Sequence, residues 1–148
     1  MKKFISAIIA FSIFGLFGCD PASQYSISYK INGTTWYSAS APAFMTVSNK
    51  ISINAISKVQ NQNKTVFLFS QYNVGTYQLD HINNDFMYVD SDTSNGYYAQ
   101  SNNPATLIIS EYNSSTKKVA GTFYGRLYNA AKTDSVLITD GKFDLYYQ

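Results

Sequence analysis

The chain has 148 residues, with 11 basic and 9 acidic side chains, one histidine and one cysteine. A lone cysteine excludes an intrachain disulfide, and with a lone histidine it excludes a Cys/His transition-metal cluster. Lys2 and Lys3 fall in a removable leader, so the remainder carries nine basic and nine acidic residues, a balance that offers no electrostatic basis for nucleic-acid binding.

That leader is residues 1–18. Met1-Lys2-Lys3 is a short positive start, and Phe4 to Phe17 is an apolar run broken only by Ser6, Ser12 and Gly15. The run is shorter than the roughly 18 residues a membrane span needs, which is the layout of a secretory signal. Leu16-Phe17-Gly18-Cys19 resembles a lipobox, with cleavage expected before Cys19 and a diacylglycerol thioether on its sulfur. Each buried lipid methylene contributes about 0.8 kcal/mol, so two or three chains hold a protein firmly on a membrane. Residues 19–24 are read as the lipidated cysteine and a short tether, and residues 25–148 as one domain.

The domain is rich in Tyr, Ser, Asn and Thr, a bias toward strands and turns, and all 13 tyrosines lie in it. Tyr25, Ile27, Tyr29 and Ile31 alternate with Ser26, Ser28 and Lys30, then Asn32-Gly33 precedes Thr34-Thr35-Trp36-Tyr37. This predicts a hairpin on a type I′ turn, with Tyr29 opposite Trp36. Ala43 to Val47 and Ile51 to Ser57 are expected strands around a turn at Ser48-Asn49-Lys50. The polar run Lys58 to Lys64 is read as a loop. Thr65 to Gln71, apolar on both faces at Val66-Phe67-Leu68-Phe69, predicts a central strand.

Shorter strands are expected at Thr76 to Leu79 and Phe86 to Val89. Asp90 to Asn95 is read as a loop, and Tyr97 to Gln100 as an edge strand. Ala105 to Glu111 is apolar around Leu107-Ile108-Ile109. Lys118 to Asn129 is the longest predicted strand. One of its faces carries Val119, Gly121, Phe123, Gly125 and Leu127, and the glycines signal a bend or a close sheet contact. Val136 to Thr139 and Lys142 to Tyr147 are expected to close the domain as a hairpin around Asp140-Gly141. No segment shows a helical stripe, so the fold class is all-β, either an antiparallel β-sandwich or a barrel-like meander.

Ile31-Asn32-Gly33 with Trp36, Gly75-Thr76-Tyr77, Gly121-Thr122-Phe123 and Ile138-Thr139-Asp140-Gly141-Lys142-Phe143-Asp144 follow one another along the domain. In this order the chain resembles a family of uncharacterised Bacteroidota lipoproteins that share a domain of unknown function. The resemblance implies a small β-rich lipoprotein in a didermal envelope and brings no catalytic residues with it.

The inventory for chemistry is thin. His81 is adjacent to Asp80, and neighbours on a strand point to opposite faces, so the two do not form a dyad by proximity. No Gly-x-Ser-x-Gly elbow is present. Asp90 and Asp92 alternate like the opening of a calcium loop, but the glycine and bidentate acid of that pattern are missing at Asn95 and Ser101. No catalytic residue and no cofactor is expected.

The aromatic residues are the remaining lead. Trp36-Tyr37 and Tyr97-Tyr98 are neighbours that face opposite sides of their strands, and these four are the candidate ligand-binding residues. The leading expectation is a lipid-anchored envelope module that binds a glycan, a peptide or an envelope protein. A lipocalin-like carrier of a small apolar ligand is the alternative, distinguished by a hollow apolar interior. An aspartate-dependent hydrolase is the third reading and would need two convergent buried carboxylates. The expected location is the outer membrane, held through lipid on Cys19.

Overall fold

The computed structural model describes residues 27–38, 43–45, 50–59, 62–71, 73–90 and 95–148. The leader, Cys19, the tether, Asp92 and the Ser48-Asn49 pair of the second expected turn lie outside these residues. The strands are β1 (Ile27–Ile31), β2 (Thr34–Ser38), β3 (Ala43–Met45), β4 (Lys50–Val59), β5 (Gln62–Gln71) and β6 (Gly75–Leu79), then β7 (Asp85–Asp90), β8 (Asn95–Tyr98), β9 (Ala105–Asn113), β10 (Lys118–Asn129) and β11 (Ser135–Tyr146). The described residues form strands and turns with no helix, so the protein is all-β.

The strands join in one antiparallel sheet of order β2-β1-β11-β10-β8-β7-β5-β4-β3, with β9 and β6 attached beside β10. β10 is the branch point: its first half pairs with β9 and its last two residues pair with β8. The sheet therefore curls into a half-barrel, and its opposite walls touch. The Ser38 hydroxyl on β2 donates to the Ile56 carbonyl on β4 at 3.0 Å. On the far side, backbone hydrogen bonds join Ala43 and Met45 of β3 to Gln148, just beyond β11.

The first hairpin forms as its sequence requires. Asn32 and Gly33 both take positive φ, 48° and 88°, and Tyr29 pairs with Trp36. The turn is also fixed from outside, because the Asn32 side-chain oxygen accepts the Leu137 N–H at 2.9 Å. Alternation then decides what is buried. Ile27, Tyr29 and Ile31 enter the core, while Ser28 and Lys30 stay on the outer face.

Side chains fill the space between the walls. Phe123 of β10 meets Phe86 of β7 edge-on at 5.5 Å between ring centroids, with Tyr29 at 6.2 Å and Phe143 at 6.4 Å. Leu68, Leu79, Leu107, Leu127 and Ile138 are fully buried around them. Each such side chain contributes about 1.5–3 kcal/mol by leaving water. The glycines of β10 and β11 make the close contact expected of them: Gly121 lies opposite Phe143 and Gly141 opposite Phe123, each leaving room for the ring of its partner.

Three expectations are corrected. Ser135–Tyr146 is one strand, and Asp140-Gly141 is not a hairpin turn. Pairing with β10 and β1 slips by one residue there, a β-bulge with Asp140 at φ 53°. The bulge re-phases the strand: Val136 and Ile138 point inward before it, Gly141, Phe143 and Leu145 after it. The polar run Lys58 to Lys64 is mostly strand, belonging to the paired β4 and β5. Lastly, β8 is not an edge, since it joins β7 to β10.

Tyr29 carries a consequence for pH. Its hydroxyl donates to Ser57 Oγ at 2.9 Å deep in the fold. Burial pushes its phenol up to about 12, against an opposing pull from the Ser57 hydrogen bond. The stability this proton supports is present below about pH 10, where the unfolded chain also keeps it. Between about pH 10 and about pH 12 only the unfolded chain ionises, so stability falls by on the order of 2–3 kcal/mol. Denaturant unfolding at about pH 9 and about pH 11.5 should show a smaller alkaline loss in Tyr29→Phe than in the wild type. Equal losses in the two proteins would assign the effect to other tyrosines.

Candidate functional site

The four aromatic candidates do not share one surface. Trp36 faces the interior from β2, 6% exposed, with the Lys64 ammonium 5.7 Å from its ring centroid. Lys64 is itself buried and holds Asp90 at 2.6 Å, so the Asp90 carboxylate is engaged by a cation of the fold. Among the described residues no group of three or more His, Cys, Asp or Glu side chains is placed to hold a metal ion. Tyr97 is also interior, stacked on Tyr88 at 5.7 Å, and its hydroxyl donates to Asp134 at 2.8 Å. The Asp134 hydrogen bond raises the Tyr97 pKa, with burial adding to it.

Tyr98, on the other side of β8, lies 4.8 Å from the His81 ring. His81 is paired through Nδ1 with Asp85 at 2.8 Å, four residues on. Its sequence neighbour Asp80 accepts the backbone N–H groups of Ile82 and Asn83 instead, and these hold the Asp80 carboxyl below the usual carboxylate range. His81 and Asp85 thus close a surface turn, in which His81 sits at φ 64°.

Tyr37 differs from the other three. It projects from the outer face of β2, 44% exposed. Tyr37, Ser28, Lys142 and Thr122 are register neighbours across β2, β1, β11 and β10. The next row holds Thr35, Lys30 and Thr139, and Tyr124 of β10 lies opposite the bulge, 48% exposed. Tyr37 and Tyr124 therefore stand three strands apart, about 14 Å measured across the strands, and one row apart along them.

Two open concavities of about 320 Å³ each run between these tyrosines and meet at Asp140 and Lys142. One is lined by Ser28, Lys30, Thr35 and Tyr37, the other by Thr122, Tyr124 and Thr139. The bulge builds this floor. It turns both Thr139 and Asp140 outward, where regular alternation would send one of them in. Asp140 then reaches Lys30 at 2.8 Å, and that ammonium holds its carboxyl below the usual range and is itself raised in return.

This groove offers two aromatic faces, a row of hydroxyls, a fixed carboxylate and an ammonium. Such a set stacks on and hydrogen-bonds a polar ligand. Of these residues, the sequence pattern points to Tyr37 alone. Lys30, Lys142 and Tyr124 come from three strands, and Asp140 before Gly141 reads as a turn residue. Alternation on each strand does mark them as outward-facing, but only the pairing of β1 with β11 brings them together. No curated protein and no solved structure matches the chain. Residues 23–145, nearly the whole domain, match the model of a family described as a domain of unknown function, DUF6252, and the chain belongs to that family.

Proposed function

We propose that the protein is a lipid-anchored module of a didermal cell envelope that binds a glycan chain across the outer face of β2, β1, β11 and β10. The observation that carries this reading is the pair of exposed tyrosines, Tyr37 and Tyr124, flanking a groove floored by hydroxyls and charges. Aromatic rings cover the apolar faces of sugars, while hydroxyls, Lys and Asp take up sugar hydroxyls. An extended peptide is a poorer fit, because it adds to sheet edges, and β1, β11 and β10 are paired on both sides. The carrier reading has less support, since Tyr29, Phe86, Phe123 and their neighbours occupy the interior.

The anchor rests on Leu16-Phe17-Gly18-Cys19, and the outer membrane is its proposed home. Cys19→Ala should take up no radiolabelled fatty acid in cells, and labelling of that variant would remove the anchor. Binding is tested with the full chain in detergent on a glycan array. Tyr37→Ala and Tyr124→Ala should each weaken capture by about thirtyfold, or about 2 kcal/mol. Ile56→Ala, similarly exposed on β4, should leave capture unchanged. Capture of no glycan, or capture indifferent to both tyrosines, would overturn the glycan reading.

A further inference from the structure

The charges on the outer face are not equally committed. Lys30 is held by Asp140 at 2.8 Å. Lys118, farther along the same face, bridges Glu111 at 3.0 Å and Asp144 at 3.3 Å. Lys142 lies between these two clusters, exposed, with no ion pair among the described residues. Its strand neighbours on either side are the hydroxyl residues Ser28 and Thr122, and it lines both halves of the groove. Within the groove lining, two ammonium groups face the one carboxylate of Asp140, while Glu111 and Asp144 share the Lys118 ammonium farther along the face. A ligand lying between Tyr37 and Tyr124 passes over this local excess of one positive charge.

From this placement we propose that the groove selects an anionic glycan, one whose sugar carries a carboxylate or a sulfate ester that Lys142 receives. The inference rests on the glycan reading of the same face and adds the charge of the ligand to it. Two features favour one anion at one place. Asp140 at the bulge bonds Lys30 directly and attracts Lys142 only through space, so the Lys142 ammonium has room for a ligand anion. Ser28 and Thr122 flank Lys142 in the sheet register, and a hydroxyl donates to an anion as readily as it accepts from a neutral sugar. The Lys142 ammonium bonds a sugar hydroxyl as well, so an anionic ligand adds an exposed ion pair, which sets a preference of up to about fivefold.

The test uses the full chain in detergent and three oligosaccharide series of equal length: neutral, uronate-containing and sulfated. At least one acidic series should bind about fivefold more tightly than the neutral one, by an amount that shrinks as salt rises. Which acidic series wins identifies the source of the anion. Lys142→Gln should abolish the preference by weakening acidic binding more than neutral binding, and should leave the melting temperature unchanged. Neutral and acidic series binding equally, or a preference that survives Lys142→Gln, would overturn the charge selection and leave the glycan site standing. Retention of no oligosaccharide, or of an acidic peptide in their place, would overturn both.

Discussion

Gly121→Ala should lower stability by about 3 kcal/mol, at the upper end for overpacking a filled core. A Cβ built on Gly121 falls 2.1 Å from the Ile108 carbonyl oxygen and 2.7 Å from Cζ of Phe143. The first contact is with backbone already paired in the sheet, so β9 and β10 must part or the new methyl must displace the ring. Phe143 has little room to yield, since it packs against Phe123. A drop in melting temperature on the order of 10 °C is expected for a domain of this size. Gly96→Ala is the comparison. Its Cβ meets the hydroxyl end of the Tyr98 side chain, which is able to swing away. Loss should stay within about 1 kcal/mol there. If the two substitutions prove equally mild, the Gly121–Phe143 contact is not the constraint described.

Asp90→Asn should be nearly as damaging, for an electrostatic reason. Lys64 has a side chain only 8% exposed and its ammonium is neutralised by Asp90 at 2.6 Å. Removing one partner of a buried ion pair strands the other, and the penalty is about 3 kcal/mol. Lys64→Met should cost far less, about 1 kcal/mol, because Asp90 is 22% exposed and hydrates while Met keeps the stem packed. The double variant Lys64→Met with Asp90→Asn should sit close to Lys64→Met alone. Denaturant unfolding of all four proteins at neutral pH gives the coupling, expected to be about 3 kcal/mol. Additive losses would mean that the pair is not what makes Asp90 important.

Local patterns were legible where one strand and its turn contain the whole instruction. Asn32-Gly33 with alternation on both sides led directly to the Tyr29–Trp36 pair. The length of β10 and its alternating glycines and aromatics were equally plain. What misled was chemistry with two meanings. Asp-Gly is a good hairpin turn, yet here it forms a bulge, and the clue was the inward apolar residues changing from Val136 and Ile138 to Phe143 and Leu145. A polar run reads as a loop, yet Lys64 is buried because Asp90 lies across the sheet from it. The outer groove was harder still. Its residues belong to four strands, and no local pattern states that β1 lies beside β11.

That same neighbourhood has a kinetic side. Ile27 pairs with Phe143 across more than a hundred intervening residues, so β1 has only β2 to pair with until β11 arrives. Closing so long a loop must precede any reward from the contacts it creates. Sheet proteins dominated by such distant pairings fold in about milliseconds to seconds, whereas helical bundles take about microseconds to milliseconds. Through that interval the edge of β1 stays open and the aromatic interior stays wet. The price of building the groove from β1 and β11 is a chain that remains unfolded, and vulnerable to association with its own copies, for longer than a protein of this size with local contacts would be.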